Sequence, residues 1–298
     1  MRIAAIDMGT NTFHLIIGER YFNDIKILHK ENSPVRLGEK TINDGIINED
    51  AINRALVTLK NYKTKVEAYD VKKVRIMATS AVRSANNGNA FIQKVKQETG
   101  FEIEIISGDT EATFIYNAVK LSGSIEGMSL IMDIGGGSTE FLIADEQQIY
   151  WKKSYDLGAS RMWQRYFLLD PLPFEDNLLI QSTLKLELKE LFDNCKKYNP
   201  SMLIGSAGAF ESYYSIINSA QQLEKNYEDI HLVAFKNLSC MLSKSNHEER
   251  SKIKGLIPLR VDMIVAASLL TNLILEETQI QKLRATSFDL KMGILDSI

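Results

Sequence analysis

Near the start of the chain, Asp7-Met8-Gly9-Thr10-Asn11-Thr12-Phe13-His14-Leu15-Ile16-Ile17 lies without a gap on Asp133-Ile134-Gly135-Gly136-Gly137-Ser138-Thr139-Glu140-Phe141-Leu142-Ile143. Both copies end an apolar run with Asp, place Gly two residues later and a hydroxyl residue five later, and then resume an apolar run. A single short glycine motif recurs by chance. A polar pattern flanked on both sides by strand-like sequence, each copy opening its own series of strands, marks a duplicated domain. The chain is therefore expected to fold as two related α/β units, the second beginning near residue 122.

The surrounding pattern fits. Ile3–Asp7, Thr12–Gly18 and Ile25–His29 read as three short strands of an antiparallel meander. The period then changes: Ile52, Ala55, Leu56, Leu59, Tyr62 and Val66 recur at helical spacing behind Glu49 and Asp50. Strand-like Val74–Thr79, a helix over Ala90–Glu98, strand-like Glu102–Ile106 and a helix over Thr110–Lys120 complete a βββαβαβα order, that of a mixed sheet with helical crossovers. Leu121–Met128, rich in Ser and Gly, reads as a linker. Beyond the second glycine turn the sequence predicts helices over Asp176–Lys196, Ala209–Ala220, Leu232–Lys244 and Leu259–Glu277. A strand is expected over Ser201–Ile204, and a strand followed by a short helix over Leu283–Ser297.

Composition limits the function classes. The 298 residues are enough for two domains, each with its own core. A formal net charge of -3 gives no basic field directed at nucleic acid. Cys195 and Cys240 stand far apart, which argues against a disulfide scaffold or zinc site and fits a reducing cytoplasm. The N-terminal apolar run is cut at Asp7, too short for a signal peptide, and Met263–Leu275 contains Ser268, Thr271 and Asn272. That run falls short of a membrane span and reads as a core helix.

Gly- and hydroxyl-rich turns expose backbone N–H groups in a concave nest that binds anions, and Gly removes the Cβ that would block a phosphate. Two such turns facing each other would hold a phosphoryl group from both sides. Asp7 and Asp133 would repel phosphate, so they make sense beside a divalent cation such as Mg²⁺. For either turn alone, an Asp closing a tight β-turn is explanation enough; the duplicated pair points to phosphate binding. Hydrolysis also needs a group that orients water. Glu111, where a loop enters a helix, is explained on position alone by the helix dipole. For Glu140, on the strand leaving the second turn, function and structure weigh evenly. A third glycine segment, Gly205-Ser206-Ala207-Gly208-Ala209-Phe210, opens a helix and suits a distal phosphate, although a plain strand-to-helix turn explains it almost as well. Arg36, Arg83, Arg161 and Arg260 are the cationic candidates for a polyanion path, Arg83 first. His14 follows the first turn and is equally a packed strand residue; the four histidines show no metal-ligand spacing. No Walker lysine motif is present.

These residues resemble the exopolyphosphatase/guanosine pentaphosphate phosphatase (Ppx/GppA) family, within the actin, heat-shock chaperone and sugar kinase superfamily. The likeness runs through Asp7–Thr12, Val35-Arg36-Leu37-Gly38, Ala78-Thr79-Ser80-Ala81-Val82-Arg83, Ile105-Ile106-Ser107-Gly108 with Glu111-Ala112, Asp133–Phe141, Leu157-Gly158-Ala159, Gly205–Gly208 and Arg260-Val261-Asp262. It implies an α/β fold of two ribonuclease-H-like (actin-like ATPase) domains with mixed sheets flanking an interdomain cleft. The implied domains are 1–121 with a C-terminal helix at about 288–298, and 122–287. It implies Glu111 as the base that activates water and Glu140 as a second essential carboxylate. Asp7, Asp133 and Glu140 become the Mg²⁺ site, with Mn²⁺ and K⁺ left open. Gly9, Thr10, Asn11, Thr12, Arg83, Gly135, Gly136, Gly137, Ser138, Gly205, Ser206 and Gly208 become phosphate ligands. Thr10 and Thr12 stand where serines are common, Thr110 and Thr113 replace a usual Glu and Arg, and Asp289-Leu290-Lys291-Met292-Gly293 departs from an Arg-Glu-Gly pattern. Ending at 298, the chain is expected to be a short form without the C-terminal helical domain, with a weaker grip on long chains.

The expectation is a cytoplasmic, metal-assisted exopolyphosphatase that releases orthophosphate from polyphosphate, with guanosine pentaphosphate hydrolysis as the alternative. A kinase-like phosphotransferase and an actin-like nucleotide-binding scaffold are the more distant readings. No nucleic acid or membrane partner is expected, and a homodimer is implied by the resemblance.

Overall fold

The computed structural model describes residues 1–22, 24–206 and 208–298. Asn23 and Ala207 lie outside the described residues, the latter within the third glycine segment. In chain order the elements are β1 (Arg2–Met8), β2 (Thr12–Tyr21), β3 (Asp24–Pro34), α1 (Glu49–Ala68), β4 (Lys73–Ala78), α2 (Ser80–Arg83), α3 (Gly88–Thr99), β5 (Glu104–Ile105) and α4 (Gly108–Leu121). There follow β6 (Ser129–Ile134), β7 (Thr139–Ala144), β8 (Ile149–Tyr155), α5 (Ala159–Tyr166), α6 (Phe174–Glu187), α7 (Lys189–Tyr198), β9 (Met202–Ser206) and α8 (Gly208–Ile217). The last are β10 (Tyr227–Ile230), α9 (Leu232–Lys244), α10 (His247–Ser251), a 3₁₀ turn at Pro258–Arg260, α11 (Met263–Thr278), β11 (Leu283–Thr286) and α12 (Leu290–Asp296).

The chain divides into two compact units, Met1–Phe114 with Leu290–Ile298, and Ile115–Asp289. In the first, the sheet order is β3-β2-β1-β4-β5. β1 pairs antiparallel with β2, and β2 with β3, while β1–β4 and β4–β5 are parallel. This is the ribonuclease-H-like arrangement: a meander, then two strands returned by helical crossovers. α1 is capped by the Asn48 side chain, which accepts from Ala51 N–H, and buries Ile52, Leu56, Leu59 and Tyr62. The second unit repeats the scheme. Its order, β10-β11-β9-β6-β7-β8, reads from the other edge as the same meander and parallel pair, with β10 added antiparallel to β11. The duplication read from eleven aligned residues thus extends to strand order and pairing sense.

α11 is buried around most of its circumference, from Ile264 to Leu275, and is a core helix. Among the described residues no helix is long and apolar enough to cross a membrane.

Several local expectations differ from the structure. The helix expected over 176–196 is two helices parted at Leu188; no Pro or Gly marks the break, so the apolar period runs through it. The segment read as a linker is packed. Ser122 Oγ donates to Val119 O at 2.6 Å, Ser124 is fully buried, and Arg284 Nη1 donates to Ser124 O at 2.8 Å. Its Ser and Gly residues terminate α4, with Gly123 at φ 72°, rather than forming a loose connection. The helix expected from Leu259 begins at Met263, after the 3₁₀ turn. The short elements α2, α5, β10 and α10 had no periodic signal long enough to read.

Candidate active site

In the first unit, the turn between β1 and β2 carries Asp7–Thr12. A Cβ on Gly9 would stand 2.9 Å from Thr12 O, so the turn closes only without one. Its carbonyls are held by the segment after β3: Arg36 N–H donates to Asn11 O at 2.7 Å and Gly38 N–H to Thr10 O at 3.1 Å. In a trans peptide the C=O and N–H of one plane point in opposite directions. Fixing the Thr10 and Asn11 carbonyls therefore turns the N–H groups of Asn11 and Thr12 away from residues 36–38, as an anion nest requires.

The second unit repeats the device. Gly135 N–H donates to Ser138 O at 3.0 Å, and a Cβ on Gly135 would stand 3.0 Å from that same oxygen. The start of α5 holds the turn from behind: Ala159 N–H donates to Gly135 O at 2.9 Å, while Ser160 and Arg161 N–H donate to Gly136 O at 2.9 and 3.0 Å. Arg161 Nε donates to Gly137 O at 2.8 Å. By the same peptide geometry, the N–H groups of Gly136, Gly137 and Ser138 are directed away from α5. Backbone contact is close here: a Cβ on Gly158 would lie 2.4 Å from backbone atoms of Gly136 and Gly137. Gly158→Ala is expected to displace the turn and lower kcat/KM for a phosphate ester or anhydride by roughly tenfold or more, since sub-ångström misplacement of ligands is costly in rate. Steady-state kinetics alongside a thermal melt checks it; unchanged kinetics would show that the turn tolerates the shift.

Beside each turn, a row of polar side chains crosses the meander. In the second unit Asp133, Glu140 and Ser154 are directly paired across β6, β7 and β8. Ser154 Oγ donates to Glu140 Oε1 at 2.7 Å, and Ser206 Oγ donates to Asp133 Oδ2 at 3.1 Å. In the first unit the same register brings Asp7, His14 and Asn32 into one row, with His14 Nδ1 2.7 Å from Asn32 Oδ1. His14 is thus the counterpart of Glu140. Carboxylates directly opposite on adjacent strands repel, so the Asp133–Glu140 pair suits a cation. Among the described residues no cluster of three or more His, Cys, Asp and Glu side chains forms a metal cage. A pair of carboxylates with a hydroxyl fits Mg²⁺, which keeps its waters and takes phosphate oxygens to complete its shell.

The first unit also contains Glu111, in the first turn of α4, where Ser107 caps the helix by accepting from Thr110 N–H at 3.1 Å. Arg83 Nη1 donates to Glu111 Oε2 at 2.9 Å and to Ile106 O at 3.0 Å. Glu111 is only 7% exposed. Burial pushes its carboxyl above the ordinary glutamate range, and the charge and hydrogen bond of Arg83 pull it part of the way back. A carboxylate so placed is a stronger base than an ordinary exposed glutamate. The position that helix dipole alone explained in the sequence is, in the structure, a buried ion pair.

Gly205 is a residue of β9, paired with Met132 and Ala285, and its missing Cβ makes room for the Phe210 ring, 1.9 Å from where that Cβ would stand. Ser206 ends the strand on Asp133, and Gly208, at φ 49°, opens α8. Arg36 pairs with Glu39, and Arg260 Nη1 donates to Ser212 Oγ at 2.8 Å. The clamps behind the two turns were missed by residue-level reading. Val35–Gly38 and Leu157–Ala159 stood out only as segments of likeness, because a hydrogen bond from a distant backbone N–H leaves no mark on residue type.

The strand order and the paired glycine turns define a duplicated ribonuclease-H-like α/β protein with a glycine turn after the first strand of each copy. The profile of the Ppx/GppA phosphatase family matches residues 16–298, and the chain belongs to that family. The crystal structure of an exopolyphosphatase from Cytophaga hutchinsonii superposes with a TM-score of 0.95 at 34% identity, covering 100% of this chain and 99% of that one. The bifunctional 3-dehydroquinate synthase/phosphatase of Fusobacterium nucleatum is 34% identical over 291 residues, 92% of this chain and 43% of that protein. The guanosine-5'-triphosphate,3'-diphosphate pyrophosphatase of Vibrio vulnificus is 26% identical over 253 residues, 85% of this chain and 50% of that protein. This chain spans half or less of the length of those two curated relatives.

Proposed function

We propose that this phosphatase hydrolyses the terminal phosphoanhydride bond of inorganic polyphosphate and releases orthophosphate. The observation that carries the reading is Glu111, a buried carboxylate raised by desolvation and aimed by Arg83. In this role it takes a proton from the attacking water. In each unit the turn binds phosphate oxygens by itself, through the N–H groups of Asn11 and Thr12 with the hydroxyls of Thr10 and Thr12 in the first, and through the N–H groups of Gly136, Gly137 and Ser138 with the Ser138 hydroxyl in the second, and stabilises the charge that develops on them. Asp133 and Glu140 would hold a divalent cation or its waters, with Asp7 the counterpart of Asp133 in the first unit; Mg²⁺ bound there would supply charge neutralisation on the phosphate. Arg83 serves the anion through Glu111, and Ser206 holds the Asp133 carboxylate in place. Likeness to the Cytophaga hutchinsonii enzyme over the whole of both chains favours polyphosphate. Likeness to the Vibrio vulnificus enzyme favours guanosine pentaphosphate as the second reading.

A phosphate-release assay with defined-length polyphosphates and with guanosine pentaphosphate, each with Mg²⁺ and with EDTA, separates the two. The expected result is Mg²⁺-dependent release that is faster from polyphosphate. Faster release from the nucleotide would select the second reading, and release from neither would end both.

A further inference from the structure

The Arg161 side chain ties a guanidinium to the carbonyl of a glycine turn. Its Nε donates to Gly137 O at 2.8 Å, its side chain is only 12% exposed, and its own N–H donates to Gly136 O at 3.0 Å. Asp156, 3.7 Å from Nη2, is largely solvent-exposed and leaves that grip in place. In the first unit Arg36 and Gly38 hold the Asn11 and Thr10 carbonyls through their backbone N–H groups. The second turn, Gly135-Gly136-Gly137, has the greater backbone freedom, and an ordered nest needs it removed.

We infer that Arg161 is a positioning residue for anion binding by the second turn. By holding the Gly137 carbonyl toward α5, its Nε–H turns the Ser138 N–H outward and completes a row of N–H donors with Gly136 and Gly137. Arg161 acts through the peptide plane and does not itself touch the anion, although its charge alone would have marked it as a ligand of a polyanion. The inference rests on the proposed function for its substrate, but the geometry needs only a phosphate-like anion.

The test compares Arg161→Met and Arg161→Lys with wild type, using tripolyphosphate with Mg²⁺ for kinetics and inorganic phosphate for protection against thermal unfolding. Both variants are expected to raise KM about tenfold with a smaller change in kcat, and to lose the stabilisation by phosphate, because ground-state binding is what the ordered N–H row supplies. Arg161→Lys keeps the charge and loses the planar Nε donor. A Lys variant that behaves as wild type while the Met variant is impaired would show that charge alone matters, and would overturn the inference. So would a Met variant indistinguishable from wild type. Arg161→Gln replaces the Met variant if the latter does not fold. Should wild type release no phosphate from any anhydride, the functional reading falls by itself. The phosphate-induced shift then still decides Arg161, its loss in the variants supporting the inference and its retention ending it.

Discussion

Glu111→Gln is expected to lower kcat by on the order of 10²–10⁴-fold, the range for loss of a positioned general base, while the protein stays folded. The amide keeps the size of the side chain and its oxygen still accepts from Arg83, so the contacts around α4 persist. What disappears is the ability to take a proton from water. The pH dependence gives the claim its second leg. Burial raises the Glu111 carboxyl above the ordinary glutamate range, and the base works only when ionised. The acid limb of the kcat/KM profile therefore lies above that range. Arg83 lowers the same group, so Arg83→Met moves the limb to still higher pH. The stability effect has the opposite sense to that of a salt-bridged carboxylate with a depressed value. A raised folded-state value favours the fold below the unfolded value, and that contribution is lost as pH rises through the folded one. Above it, Glu111→Gln, which mimics the protonated form, should melt at or above the wild-type temperature. Rapid-quench or steady-state kinetics over pH, with melts on the same samples, measures all of this. A Gln variant with wild-type turnover would remove Glu111 from the mechanism.

Asp133→Asn is expected to reduce Mg²⁺-dependent turnover by about 10²–10³-fold, comparable to the loss of a key electrostatic group in other active sites. Asp133 and Glu140 are paired across β6 and β7, and like charges in that geometry oppose the sheet unless a cation intervenes. Two consequences follow that do not depend on activity. In EDTA the Asn variant should be at least as stable as wild type, because the repulsion is relieved. Added Mg²⁺ should then raise the melting temperature of wild type more than that of the variant, since only a ligand that binds the folded state stabilises it. Equal Mg²⁺ shifts in both proteins would place the cation elsewhere.

Much of this architecture was legible from two stretches of eleven residues. Strand alternation, glycine and a hydroxyl at a fixed offset are local signals, and local signals survive in a one-dimensional string. They announced a duplication, and the duplication announced two sheets with one topology. Less was legible around the site. Glu111 looked like any acidic residue in a first helical turn, because its burial and its bond to Arg83 depend on bringing the end of β4 beside the start of α4. His14 looked like a strand residue until the β1–β2 and β2–β3 registers set it level with Asp7 and Asn32, in the place Glu140 holds in the second copy.

The amino-acid string on its own determined the repeat, the strand and helix order of each copy, and the residue types able to meet a phosphate and a cation. Tertiary structure alone decided which way the turn carbonyls point, and hence the N–H groups, because their partners at residues 36–38 and 159–161 lie across the fold. It also decided that Glu111 is a perturbed acid, since desolvation is a property of surroundings that no single residue encodes.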